Sequence, residues 1–203
     1  MVTRYLFVIL LCLGALAPTA AHAQHWNLPA DLSRDTMQIA FELDTTWHTV
    51  EGSVKEISGH LSLPNFKDPR TIAATLSIPV ASLDTDSKSR DEEMRDSMEE
   101  SRFPAITVRV PEIRPSCEEA ALSLAPDCNY ATQAIVTIRD VTLPIDLKGT
   151  IRRNAVGTIV VDGTTQLDWS KFGVKDPSIL IAKVDETVQI SFQITLSTKK
   201  KAV

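Results

Sequence analysis

Val184-Asp185-Glu186-Thr187-Val188-Gln189-Ile190-Ser191-Phe192-Gln193-Ile194-Thr195-Leu196 is the stretch that decides the fold. Val188, Ile190, Phe192, Ile194 and Leu196 occupy every second position, with Gln189, Ser191, Gln193 and Thr195 between them. Successive side chains of an extended chain point to opposite faces, so this alternation specifies a strand with one buried and one wetted face. The pattern recurs upstream: Met37, Ile39, Phe41 and Leu43 share one parity, as do Ile72, Ala74, Leu76 and Ile78. Ile106, Val108 and Val110 follow, then Thr132, Ala134, Val136 and Ile138. Candidates over residues 46–57, 141–151 and 157–162 bring the expectation to about eight antiparallel strands, an all-β chain closing into a barrel or packing as a sandwich.

One segment departs from this period. Residues 84–100 are dense in charge and place Met94 and Met98 four apart, with Ser89 and Glu92 at capping-box spacing. They predict a short helix near residues 87–100. Lys88/Glu92, Asp91/Arg95 and Arg95/Glu99 fall at i,i+4, so the run reads mainly as a solvated face. Its thin apolar edge suits a helix lying across a barrel mouth, either as a plain plug or as part of a site.

The first 23 residues carry Arg4, an apolar run from Tyr5 to Leu16 and Ala21-His22-Ala23 before Gln24. This is the pattern of a cleavable secretory signal peptide, with 24–203 as one mature domain in the periplasm or secreted. Leu11 before Cys12, where a small residue is expected, argues against lipidation. The formal charge of −5 argues against nucleic acid, because the basic cluster Lys199-Lys200-Lys201 reads as a solvated tail. Cys117 and Cys128 would meet an oxidising compartment after export, which favours a disulfide; a redox or metal pair is the alternative.

Residues that would carry catalysis are not evident. There is no Gly-x-Ser-x-Gly elbow or glycine-rich phosphate loop, and the chain has only 7 glycines. His25, His48 and His60 do not share ligand spacing, although a turn at Ile57-Ser58-Gly59 would bring His48 and His60 face to face. No catalytic residue and no metal site is therefore assigned. Trp47 and Trp169 read first as barrel-packing residues and second as ligand platforms.

The order of motifs resembles the YceI family of exported lipid-binding proteins. It runs through Phe41-Glu42-Leu43, Val50-Glu51-Gly52-Ser53-Val54 and Ser58-Gly59-His60-Leu61. It continues with Leu83-Asp84-Thr85, Arg90-Asp91, Met94-Arg95 and Arg102-Phe103-Pro104-Ala105-Ile106. Ile138-Arg139-Asp140-Val141-Thr142-Leu143-Pro144-Ile145 and Trp169-Ser170-Lys171-Phe172-Gly173-Val174 complete it. Asp44-Thr45-Thr46 stands where the family often has a histidine, and Met98 where its helix has a phenylalanine.

The resemblance implies a lipocalin-like antiparallel barrel holding a polyisoprenoid or quinone-type lipid in an apolar tunnel, with no enzymatic activity and no other cofactor. The candidate ligand-binding lining is Phe41, Leu43, Val50, Val54, Leu76, Ile78, Met94, Met98, Phe103, Ile106, Val108, Ile138 and Phe172. Alternation shows burial rather than a cavity, so a structural or interaction barrel filled by its own side chains is the alternative. A transient contact with a membrane or membrane protein, and a homodimer, are compatible with either.

Overall fold

The computed structural model describes residues 30–62, 72–113, 115–116, 128–153, 158–178 and 183–196. Expectations that fall on residues 1–29, on Cys117 and on Lys199, Lys200 and Lys201 lie outside the described residues. The strands are β1 (Ala30–Ser33), β2 (Met37–Thr45), β3 (Thr49–Val54), β4 (Ser58–Ser62), β5 (Ile72–Pro79) and β6 (Leu83–Asp84). Helix α1 (Lys88–Ser97) follows, then β7 (Ala105–Ile113), β8 (Cys128–Ile138), β9 (Val141–Arg153), β10 (Ile159–Asp168) and β11 (Val184–Leu196). All strands join one sheet of 11, in the order β1-β4-β5-β7-β8-β9-β10-β11-β2-β3-β6.

That order makes the sheet roll up. β1 and β2 are separated only by residues 34–36, yet stand first and ninth across the sheet. β5 and β6 are joined by the 3-10 turn Val80–Ser82, yet stand third and last. A residue spans at most about 3.5 Å, so such short links draw the two sides of the sheet together. Arg34 Nη1 donates to the Val54 carbonyl at 2.7 Å and Lys55 N to the Ser82 carbonyl at 2.8 Å, fastening the seam. The result is a curled, barrel-like antiparallel sheet with the predicted alternation on its inner face.

The described residues form 11 strands where the pattern predicted about eight. β1 and β4 each bury one large apolar side chain, Leu32 and Leu61, which is too little to show alternation, and β6 has two residues. The 46–57 candidate shrinks to β3, because residues 46–48 turn and residues 55–57 leave for the other side of the sheet. β3 and β4 are therefore not partners, and His48 and His60 do not face each other. His60 Nδ1 instead lies 3.2 Å from Asp31 on β1.

A row across four strands shapes the interior. Tyr130 on β8 pairs with Gly149 on β9, Gly149 with Gly163 on β10, and Gly163 with Phe192 on β11. A Cβ at Gly163 would strike the Phe192 ring and the Tyr130 hydroxyl, and one at Gly52 the ring of its partner Phe41. The rings thus lie flat on the wall over bare backbone, an aromatic cover for strand glycines. Tyr130 Oη also donates to the Asp162 carbonyl at 3.2 Å.

Helix α1 is shorter than predicted, and Ser87 rather than Ser89 is its N-cap, without a side-chain cap bond. Lys88, Arg90, Glu92, Glu93 and Asp96 are exposed, as a mainly solvated face requires, and Asp91 is the exception. It is buried, and its Oδ1 accepts the backbone N–H and the hydroxyl of Thr85 at 2.9 and 2.7 Å. Arg90 completes the lock, donating to the Thr85 hydroxyl at 3.1 Å and carbonyl at 2.7 Å.

Candidate functional site

Inside the sheet lies a cavity of about 370 Å³, walled by the inner-parity side chains of most strands and by α1. This is within the size range of small-molecule sites. Phe41, Leu43, Val50, Val54, Leu76, Ile78, Met94, Met98, Ile106, Val108 and Ile138 all line it. Met37, Ile39, Ala134, Val136, Leu147, Val161, Val188, Ile190, Phe192 and Ile194 line it too. Their parity was already in the sequence; extending each strand's alternation to its ends would have added them.

Phe103 and Phe172 do not line it. Phe172 is fully buried in the 3-10 turn Trp169–Phe172, which ends at Gly173 in the left-handed conformation with φ 68°. Phe103 is a platform for cations, with the guanidinium carbons of Arg102 and Arg139 at 4.9 and 5.5 Å from its ring centre. Its place between a helix and a barrel suggested lining, but the ring is taken by its sequence neighbour Arg102 and by Arg139 of the distant β8–β9 hairpin. The two described tryptophans also separate: Trp169 is buried at the cavity wall, its Nε1 donating to the Asp185 carbonyl at 2.7 Å, whereas Trp47 is exposed.

The cavity has a closed and an open end. Leu32, Met37, Leu61, Val110 and Ile194 at one end are buried, whereas Arg90 and Glu93 are exposed and Thr45, Pro177 and Val184 half-exposed. Most of the polar lining gathers on the helix side of that mouth, at Thr85, Arg90, Glu93 and Ser97, with Thr45 and Thr165 on the strands. The Thr85–Asp91 lock therefore fixes the start of the helix that carries Arg90, Glu93, Met94 and Met98 into the wall.

The far end of α1 is held by Glu99. Its carboxylate meets Arg102, Arg139 Nη2 at 2.9 Å and Lys175 Nζ at 3.4 Å, while Lys175 N donates to the Ser97 carbonyl at 3.1 Å. Burial would raise the Glu99 carboxyl, but hydrogen bonds from Arg102 and Lys175 and the Arg139 and Lys175 charges hold it below its ordinary value. Burial pushes the Tyr130 hydroxyl up, reinforced by the Asp162 charge, so it is a neutral donor in the wall.

Among the described residues no group of three or more His, Cys, Asp or Glu gathers as a metal site. A larger hollow of about 750 Å³ lies against outward-facing Gln38, Lys148, Thr164 and Gln193, more open and more mixed in polarity than the inner cavity.

The YceI-like domain model matches residues 30–196, from the first strand to the end of the last. The chain belongs to the YceI-like family. Solved structures share the fold: Burkholderia cenocepacia BcnA matches with a TM-score of 0.63 and 21% identity, over 79% of this chain and 96% of that one. A polyisoprenoid binding domain from Saccharophagus degradans, implicated in plant cell wall breakdown, gives 0.59 and 19%, over 80% and 95%. The YceI protein of Campylobacter jejuni gives 0.52 and 16%, over 72% and 83%. No curated protein matches this YceI-like chain.

Proposed function

We propose that this YceI-like chain is a non-enzymatic carrier that holds a polyisoprenoid or quinone-type lipid in its inner cavity. The observation that carries this reading is the cavity wall: aliphatic and aromatic except for Thr45 and Thr165 on the strands and Thr85, Arg90, Glu93 and Ser97 on the helix side of the mouth. Such a wall fits an amphiphile with its tail towards the Met37 and Ile194 end and its head beside Arg90. Buried tail surface contributes roughly 25 cal/mol per Å² before association costs. The polyisoprenoid-binding relative supports the same ligand class.

Export belongs to this proposal, as does a disulfide between Cys117 and the Cys128 that is buried at the start of β8. The test is native mass spectrometry of the purified protein, then solvent extraction and identification of what is released. A stoichiometric prenyl compound is expected, on a chain that begins at Gln24 and is two hydrogens lighter than its reduced form. An empty protein that also refuses added prenyl lipids would overturn the carrier reading.

A further inference from the structure

We propose that the cavity mouth docks on an uncharged lipid bilayer through Trp47 and exchanges its cargo there. The purpose of the contact rests on the lipid-carrier reading; its geometry stands on separate observations. Trp47 is 69% exposed, the exposed large hydrophobic side chain among the described residues. Single exposed apolar residues are ordinary on protein surfaces, so position and support must decide.

The support is a tightly built turn. The Thr45 hydroxyl accepts the N–H groups of Trp47 and His48 at 3.3 and 3.2 Å and donates to the His48 carbonyl at 2.7 Å. The Thr49 hydroxyl donates to Asp44 at 2.6 Å. Thr46 N donates to the Lys183 carbonyl, and Lys183 N to the Thr46 hydroxyl, both at 3.0 Å. This turn is fixed to itself and to the entry of β11, so the exposed Trp47 stands on a rigid base.

The position is the rim of the mouth. Thr45 and Val184 are direct partners in the β2–β11 register, and both line the cavity at its open end. Apolar cargo entering there passes the turn that carries Trp47. An indole suits the layer between headgroups and acyl chains, where its ring is buried and its N–H stays hydrogen-bonded. One ring gives a weak, reversible anchor, as a carrier that must leave the surface requires.

Charge selects the surface. The chain carries −5, and the exposed charges beside the turn are mixed: Asp44, Asp185 and Glu186 against Lys183. An anionic bilayer would repel this molecule at long range, and among the described residues beside the turn Lys183 alone does not offset three acids. The partner is a zwitterionic bilayer.

The experiment uses the purified protein, vesicles of phosphatidylcholine and phosphatidylethanolamine, and solanesol as the prenyl probe. Brominated phosphatidylcholine should quench tryptophan emission in the wild type, and Trp47→Phe should abolish that quenching. Trp47→Ala should slow solanesol uptake from vesicles about tenfold, with the equilibrium occupancy seen by native mass spectrometry unchanged. Equal quenching in Trp47→Phe, or unchanged uptake in Trp47→Ala, overturns the docking. If neither protein takes up solanesol while the quenching still depends on Trp47, docking stands and the carrier reading falls.

Discussion

Glu99 and Arg139 both hold left-handed backbones, with φ of 53° and 57°, and are joined across 40 residues of sequence by a 2.9 Å charge-assisted hydrogen bond. Neither is the glycine that such a conformation favours. Glu99 follows α1, where its N–H and that of Glu100 bond back to the Asp96 and Arg95 carbonyls, and Arg139 sits at the tip of the β8–β9 hairpin. One ion pair thus ties the end of the helix that walls the cavity to the hairpin beside it, with Lys175 on the same carboxylate.

The pH dependence of stability follows from that carboxylate. Its folded value lies below the ordinary one, so the folded protein binds this proton less readily than the unfolded chain does. Its stabilising contribution is complete above the ordinary glutamate range and disappears as pH falls through the depressed value. Glu99→Gln is expected to lower Tm at neutral pH and to approach the wild type as the solution is acidified below about pH 4. Thermal melts across pH check this; curves that stay parallel would remove Glu99 as the latch.

The wall glycines give a graded prediction. An alanine at Gly52 meets only the Phe41 ring, and one at Gly163 meets Phe192 and the Tyr130 hydroxyl, whereas one at Gly149 meets the Asp162 carbonyl and the Gly163 backbone. Rings can turn; a paired strand cannot give way without losing its ladder. Gly52→Ala should cost about 1–3 kcal/mol and Gly149→Ala more. Denaturant unfolding of the two variants decides the order. Gly52→Ala should also push Phe41 into the cavity and reduce lipid uptake, whereas Gly149→Ala, which strikes backbone first and the Tyr130 hydroxyl second, should act mainly on the ladder.

Parity made the barrel legible. Ile190, Phe192 and Ile194 announce an inner face that the structure keeps, and Val50, Leu76 and Val108 arrive in one cavity because alternation dictates facing. Leu32 and Leu61 left β1 and β4 unread, since one apolar residue has no period. The polar side of the site was less legible. Asp91 and Glu99 lie in a run of charges whose i,i+4 spacing suits solvent equally well; what buries them is Thr85 before the helix and Arg139 beyond it, contacts that no helical period encodes. Phe103 failed for a related reason: Arg102 is its sequence neighbour, but Arg139 reaches the ring only through tertiary structure.

The Thr85–Asp91 lock separates geometry from charge. Both hydrogen bonds from Thr85 go to the same oxygen, Asp91 Oδ1, which an asparagine retains. Asp91→Ala leaves the Thr85 N–H and hydroxyl without their partner in a buried setting, at a cost of about 1–3 kcal/mol, while Asp91→Asn should keep most of the stability. Since α1 forms one wall of the mouth, Asp91→Ala should also release bound lipid faster. Equal losses in both variants would assign the role to the negative charge instead.

Ala134 is where the cavity can be closed without disturbing its frame. It is fully buried on β8, opposite Ile145 of β9, and its small side chain faces the cavity. A phenyl ring there would project into space that the tail is proposed to fill. Displacing one isoprene unit removes about 3 kcal/mol of apolar burial, a loss of roughly a hundredfold in affinity. The same ring gains contacts with the cavity wall, so Ala134→Phe should hold or raise Tm as binding falls. Solanesol titration with parallel melting reads both. Undiminished affinity would place the ligand outside the cavity, whereas lost affinity with a lowered Tm would mean that the interior is too full for either ring or tail.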